Sequence, residues 1–318
     1  MQIIQSYLIF FNAFRFEMCF FIICPTASLW RKEEIVKIIR TVADIREYVR
    51  CCKSEGKSIG LVPTMGALHE GHASLIEAAR KENDVVIVSV FVNPTQFGPT
   101  EDFDAYPRQL DADAQRAEQA GADVIFAPTP KEMYPSVDMT WVEVTGDITK
   151  VLCGRSRPIH FRGVTTVVAK LFHLAQPNRA YFGLKDAQQT EVLRRMVTDL
   201  FFDVELRIMP IIREADGLAK SSRNVYLSPA ERTAALILSK TLREAKEKFV
   251  GGLHDAAALV DFVRTNISSE PLADIDYVEI YQLPGLLPVK SSLKGKYLLA
   301  VAVRFGTTRL IDNVILED

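Results

Sequence analysis

Two histidines three residues apart, His69 and His72, stand in the run Pro63-Thr64-Met65-Gly66-Ala67-Leu68-His69-Glu70-Gly71-His72. Imidazoles at that spacing can face the same space, and each can donate a hydrogen bond to an anion from a fixed position. The run follows Ile59-Gly60-Leu61-Val62, which reads as a short buried strand, and leads into Leu75, Ile76 and Ala79, which recur with His72 at helical spacing. Strand, glycine-bearing loop and helix start together make a place for a phosphate. The first helical N–H groups are unpaired, the helix dipole is positive there, and glycine lets the backbone approach closely. The chemistry that suits such a site is charge stabilisation during in-line attack on the α-phosphate of a nucleotide. Two plainer readings stand beside it. One is a zinc pair, although the ligands of the His-Glu-x-x-His pattern are four apart; the other is a pair of buried, satisfied rings.

Three further junctions carry polar residues of useful type. Asn93-Pro94-Thr95-Gln96-Phe97 follows the β-branched run Asp84–Val92, a pattern expected of a strand covered on both faces in a parallel sheet. Ligands of open α/β sheets bind beyond the carboxyl ends of strands, so Asn93 and Gln96 stand where a second substrate can lie beside the nucleotide. Turn chemistry alone is met equally by a proline turn with solvent-facing amides. Leu184-Lys185-Asp186-Ala187-Gln188-Gln189 follows a strand-like Arg179–Gly183. Lys185 is a compact charge for a β- or γ-phosphate or, equally, part of a surface ion pair. Asp216-Gly217-Leu218-Ala219-Lys220-Ser221-Ser222-Arg223-Asn224 offers two hydroxyls, an arginine and a backbone nest for a triphosphate, or a mobile polar loop. Between these lies Cys153–Gly163, with three arginines and a histidine in eleven residues, an anion site or a solvated loop.

The elements that must position these residues alternate. Helices are expected over Thr41–Lys53, from His72 onward, over Leu110–Ala120 and over Val164–Leu174, with strands at Ile59–Val62, Asp84–Val92, Ala122–Pro128 and Arg179–Gly183, and Ile211-Ile212-Arg213 closing the strand run. That alternation predicts an α/β fold, a Rossmann-like doubly wound parallel sheet. Ser228-Pro229 with Glu231 forms a capping box that opens a helix to about Lys248, stopped by Gly251-Gly252. A helix over His254–Thr265 and strands at Ile275–Leu283, Lys296–Phe305 and Arg309–Leu316 then predict a smaller C-terminal α+β domain. The expected division is 36–212 for the nucleotide- and substrate-binding domain and 213–318 for a domain that lids its cleft.

The 318 residues are 48% apolar and 25% charged, with a net charge of −2 and five cysteines. A chain of this length builds its core without disulfide staples, and its cysteines form neither a zinc spacing nor an even disulfide framework. Near-neutral charge carries no electrostatic footprint for nucleic acid, so the expected partners are small molecules, and the expected compartment is the reducing cytoplasm.

The run Pro63–His72 resembles the nucleotide-binding motif of the pantothenate synthetase (pantoate–β-alanine ligase) family, relatives of the His-x-Gly-His nucleotidyltransferases. Further blocks agree. Asn93–Phe97 is similar to the family's Asn-Pro-x-Gln-Phe, Asp102–Arg108 to a block at the active-site edge, Arg157–Phe161 to Arg-Pro-Gly-His-Phe, Phe182–Gln189 to Phe-Gly-x-Lys-Asp-x-Gln-Gln, and Ser221–Asn224 to a Ser-Ser-Arg-Asn loop. The resemblance implies ATP-dependent condensation of (R)-pantoate with β-alanine through pantoyl adenylate, with Mg²⁺ carried on the ATP phosphates rather than in a protein cage. It implies catalytic roles for His69, His72, Lys185, Ser221, Ser222 and Arg223. ATP would be held by Met65, Gly71, His72, Gly183, Lys185, Asp186 and the Ser221–Arg223 loop, and pantoate by Met65, Asn93, Gln96 and Gln189. The family is typically homodimeric, with no nucleic-acid or membrane partner.

This chain departs from the family pattern at Leu184, Ala187, Lys220 and Ile159. The last stands in a glycine position and would be strained if that position needs a positive φ. The resemblance begins near Val36. Residues 1–35 are interrupted by Arg15 and Glu17, short of the roughly 18 apolar residues of a membrane span, and lack the basic start of a signal peptide. They are expected to be a non-native extension from an upstream start.

A nucleotidyltransferase of the same fold, with a phosphate acceptor, and a non-catalytic nucleotide-binding regulator are the rival readings. Neutral Gln96 and Gln189 suit a small hydroxy acid, whereas a phosphate acceptor would want more Arg or Lys. A regulator has no need of two histidines and two glutamines converging on one cleft.

Overall fold

A computed structural model describes residues 36–99, 101–289 and 293–318; the expectation for residues 1–35 lies outside them. The β-branched runs form the interior of a parallel sheet. Strand β2 (Ile59–Thr64) pairs in parallel with β3 (Val85–Val90), Ile59 opposite Val85 and Thr64 opposite Val90. Strand β1 (Lys37–Ile39) and β4 (Val124–Phe126) extend the sheet beyond β3, and β5 (Arg179–Gly183) and β6 (Glu205–Met209) extend it beyond β2. The order β1-β4-β3-β2-β5-β6 reverses direction between β2 and β5, so the crevice beyond their carboxyl ends is the expected ligand position of a doubly wound fold.

Alternation explains why these strands are apolar throughout. Ile59, Leu61, Val85 and Ile87 point into one core, with Ile45 and Val49 of α1 (Val42–Ser54) and Val168 and Leu171 of α6 (His160–Ala175). Val62, Val86 and Val88 point into the other, with Leu75 and Ile76 of α2 (Glu70–Glu82) and Ala117 of α3 (Leu110–Gln119). Successive strand side chains face opposite ways, so a strand with helices on both sides must be apolar at every position. Short helices α4 (Pro130–Met133) and α5 (Leu152–Ser156) lie in the connection before α6, and α7 (Ala187–Asp199) follows β5.

The smaller C-terminal α+β domain has an antiparallel sheet in the order β10-β9-β7-β8, from β7 (Ala273–Gln282), β8 (Leu287–Pro288), β9 (Lys296–Phe305) and β10 (Thr308–Glu317). Helices α8 (Pro229–Val250) and α9 (Ala256–Ser268) cover one face, packing Leu238, Leu242 and Val263 against Leu299, Val301 and Val303. The alternate residues of β9, Leu298, Ala300 and Ala302, join the core of the parallel sheet. Both faces of β9 are therefore buried, which fixes its register against β7 and β10.

Three expectations change. The sixth strand lies at Glu205–Met209 rather than at Ile211–Arg213: Pro210 has no N–H to give a ladder, and Arg213 makes only an isolated bridge to Ala219. Helix α6 starts at His160, four residues before Val164, bringing His160 and Gly163 into its first turn. Ile159 adopts φ −92 and ψ −11, ordinary right-handed backbone, so a side chain there carries no conformational strain.

Candidate active site

The loop after β2 is shaped before any ligand chemistry is considered. Gly66 has φ +86 and Ala67 φ +50, a left-handed pair that turns the chain back over the sheet. Asp113, buried on α3, holds this turn by accepting the N–H groups of Ala67 at 3.0 Å and Leu68 at 2.7 Å. Arg116 donates to the Leu68 carbonyl from the same helix. Neither residue was singled out from the sequence. A signal was present, since Asp113 interrupts the apolar face Leu110, Ala114, Ala117 of α3 with a carboxylate, and a buried carboxylate needs donors.

At the start of α2, His69 is the N-cap and its Nδ1 accepts the Gly71 N–H at 3.1 Å, while the His69 N–H donates to Nδ1 of His72 at 3.3 Å. The rings lie tilted by 30° with their centroids 4.1 Å apart. A Cβ on Gly71 would come within 2.9 Å of the His69 ring, so glycine is needed there for space. Burial, together with the nearby Lys185 charge, pushes His69 down to about 4. Burial and the neighbouring His69 push His72 down to about 3. Both rings are neutral at pH 7. With each Nδ1 accepting, the proton of each ring sits on Nε2.

The polar residue at the end of β3 is equally fixed. Asn93 accepts from Thr95 and from the Tyr134 hydroxyl at 2.8 Å, and its Nδ2 donates to Gln96 Oε1 at 3.0 Å and to the Gly163 carbonyl at 3.1 Å. Gln96 Nε2 in turn lies 2.9 Å from Met65 Sδ. Beneath this turn, a Cβ on Gly163 would come within 2.4 Å of the Thr95 carbonyl, so glycine alone lets α6 approach it. Arg157 pairs with Glu101 at 2.7 Å and also reaches His160 Nε2 at 3.1 Å. A guanidinium only donates, so Nε2 accepts and Nδ1 carries the proton.

Lys185 and Asp186 follow β5 with their charges 3.7 Å apart. Gln189 lies on the cavity side of α7, whereas the adjacent Gln188 is buried and donates to the Ile148 and Val151 carbonyls at 2.9 and 2.7 Å. On the loop before α8, Arg223 holds Asp102 through two bonds of 2.9 and 2.8 Å and Ser222 meets the Tyr106 hydroxyl at 3.1 Å. Lys220 reaches across to Glu70 at 2.9 Å. The Asp102–Arg108 block thus supports the Ser221–Arg223 loop.

All the residues nominated from the sequence meet at one cavity of about 220 Å³. Met65, His69, Gly71, His72, Asn93, Gln96, Gly183, Lys185, Asp186, Gln189, Ser221, Ser222 and Arg223 line it, with Arg157 and His160. It adjoins a larger cavity of about 680 Å³, which shares Lys185, Asp186, Gln189 and Arg223 and continues along β10 to Asp312 and Asn313. The lining combines cations and ring N–H donors, Lys185, Arg157 and the histidines, with the amides of Asn93, Gln96 and Gln189 and the Met65 thioether. Among the described residues no three His, Cys, Asp or Glu side chains are grouped to hold a metal, and no helix is long and apolar enough to cross a membrane. The side chains of Cys51, Cys52 and Cys153 are buried.

Fold and site together define a Rossmann-like, nucleotide-dependent enzyme that carries a His-x-Gly-His loop beyond its β2 strand. The chain belongs to the pantoate-beta-alanine ligase family, whose model matches residues 37–315. The pantothenate synthetase of Acetivibrio thermocellus is 56% identical over 282 residues, covering 89% of this chain and all of that one. A crystal structure of pantothenate synthetase from Thermus thermophilus superposes with a TM-score of 0.82 at 46% identity, over 88% of this chain and 99% of that one. The pantoate-beta-alanine ligase of Francisella tularensis, solved with beta-gamma ATP and beta-alanine, superposes with a TM-score of 0.73 at 34% identity, over 88% and 97%.

Proposed function

We infer that the protein condenses (R)-pantoate with β-alanine, consuming ATP and releasing pantothenate, AMP and pyrophosphate. The observation that carries this reading is one cavity lined both by His69, His72 and Lys185 and by the uncharged side chains of Met65, Asn93, Gln96 and Gln189. Amides bind a hydroxy acid without neutralising its carboxylate, which leaves that carboxylate nucleophilic. In the first half-reaction a pantoate oxygen bonds to the α-phosphorus, the bond to the β-phosphate oxygen breaks, and pyrophosphate leaves. The Nε2–H donors of His69 and His72, with Lys185, Ser221, Ser222 and Arg223, stabilise the charge developing on the phosphate oxygens. Arg223 keeps donors to spare, because Asp102 occupies only Nε and Nη2.

In the second half-reaction the unprotonated β-alanine amine bonds to the acyl carbon of pantoyl adenylate, the carbon–oxygen bond to phosphate breaks, AMP leaves, and the nitrogen gives up one proton to solvent. Met65, Gly71, Gly183 and Asp186 complete the ATP contacts. Mg²⁺ on the nucleotide phosphates fits a site offering one half-exposed carboxylate, Asp186, rather than a cage, and supplies charge neutralisation there.

We further propose that residues 36–212 bind the substrates and 213–318 lid the cleft, and that the enzyme is a cytoplasmic homodimer, as the family resemblance implies. Sedimentation checks the dimer, and small-angle scattering with and without ATP and pantoate checks closure. The reaction itself is tested by AMP and pyrophosphate release with ATP, Mg²⁺ and pantoate, with and without β-alanine. Sustained AMP release that needs both acids supports the reading. A folded protein that binds ATP yet stays silent with pantoate has another acceptor.

A further inference from the structure

Two adjacent residues of the C-terminal edge strand reach both nucleotide-side segments at once. Asn313 is buried, and its Nδ2 donates to the carbonyl of Leu184 at 2.9 Å and to that of Lys185 at 3.0 Å. An amide nitrogen has two hydrogens, so both are spent on the turn that carries Lys185, and the amide orientation follows because both partners are acceptors. Asn313 Oδ1 is left without a partner among the described residues. Asp312, also buried, accepts both arms of Arg213 at 2.7 and 2.9 Å, and one of its oxygens accepts the Asn313 N–H at 2.8 Å.

Arg213 opens the segment that ends in Ser221–Arg223. It bridges Ala219, donates to the Gly217 carbonyl at 3.2 Å, and is followed by the Lys220 N–H bond to Ile212 at 2.9 Å. Asp312 therefore anchors the base of that loop, while Asn313 anchors the Lys185 turn. Neighbouring strand residues point to opposite sides, which is how one dipeptide reaches two separate segments.

We propose that Asp312 and Asn313 are positioning residues that set the Lys185 turn and the Ser221–Arg223 loop in register around the nucleotide phosphates. This rests on the phosphate roles assigned above. Neither residue needs to touch the substrate; each acts on main chain or on Arg213. A displacement of about 1 Å in a charge-stabilising group costs about a hundredfold in rate, so small slippage of either segment is readable.

The test is a double-mutant cycle read by ATP affinity, which does not involve pantoate, and by steady-state kinetics. Asn313→Ala is expected to weaken ATP binding and raise the ATP KM about tenfold, with the pantoate KM changed less than about twofold. In a Lys185→Ala background the same change is expected to add less than about twofold, because its effect runs through Lys185. Losses that multiply in the double variant, or pantoate and ATP KM values rising together, overturn the proposal. Asp312→Asn keeps the side-chain volume while removing the charge that holds Arg213, and decides the matter if Asn313→Ala does not fold: a raised ATP KM with the pantoate KM within about twofold supports the proposal, and a wild-type ATP KM overturns it. Wild-type protein that binds ATP but exchanges no pyrophosphate with pantoate overturns the acceptor assignment, while the affinity cycle still decides the role of Asn313.

Discussion

His160 Nδ1 lies 3.0 Å from the main-chain carbonyl of Gln96, and Arg157 fixes the direction of that bond by occupying Nε2. The ring is neutral, pushed down to about 4 by burial and by the Arg157 charge. It therefore serves as a fixed N–H donor that seats the turn carrying Gln96.

His160→Leu, which leaves that carbonyl only the longer 3.4 Å bond from Arg157 Nη2, is expected to raise the pantoate KM by up to about tenfold and leave the ATP KM within about twofold. His160→Asn, whose Nδ2 falls near the lost Nδ1, should recover most of the difference. Equal rises in both KM values would assign the ring to general folding.

His69→Ala and His72→Ala should each lower turnover by about 10²–10³ with cooperative melting retained, the loss expected for one preorganised donor to a developing charge. Losses under about tenfold for both would remove the pair from the mechanism.

At Gly163 the crowding lies between α6 and the Asn93–Gln96 turn. Gly163→Ala places a Cβ within 2.4 Å of the Thr95 carbonyl and must push the turn away. Destabilisation of about 1–3 kcal/mol, seen as a melting point several degrees lower, should come with weaker pantoate binding. An unchanged melting temperature would mean that the two elements are not in close contact.

Three histidines buried in the neutral form give stability a defined pH dependence. His69 and His160 are pushed down to about 4 and His72 to about 3, against an ordinary value of about 6.5. Between these limits the unfolded chain binds protons that the folded one refuses, so stability is complete above about pH 6.5 and falls as the pH drops toward 4. Each ring adds up to about 1.4 kcal/mol per pH unit to that slope. Urea unfolding at stepped pH should show a shallower acid limb for His160→Asn than for wild type. Parallel limbs would mean that His160 is protonated in the fold.

The glycine-bearing loop Pro63–His72, the strands flanking it and the place of Asn93 and Gln96 at a strand end are legible in the sequence, and the family resemblance adds Gln189. Their signals are local: glycine spacing, period-2 and period-3.6 apolar patterns, and polar residues at strand ends. The capping box Ser228–Glu231 was legible for the same reason. Local patterns fixed which face of an element is buried, but not its neighbour in space.

Only the tertiary structure placed β2 beside β5, which brings the His69 loop to the Lys185 turn across more than a hundred residues of chain. It alone revealed Asp113 beneath the loop, His160 beneath Gln96, and Asn313 holding the Lys185 turn. Each of these contacts is a hydrogen bond to main chain. A backbone carbonyl or N–H is the same at every residue, so its partner leaves no mark in the sequence around it.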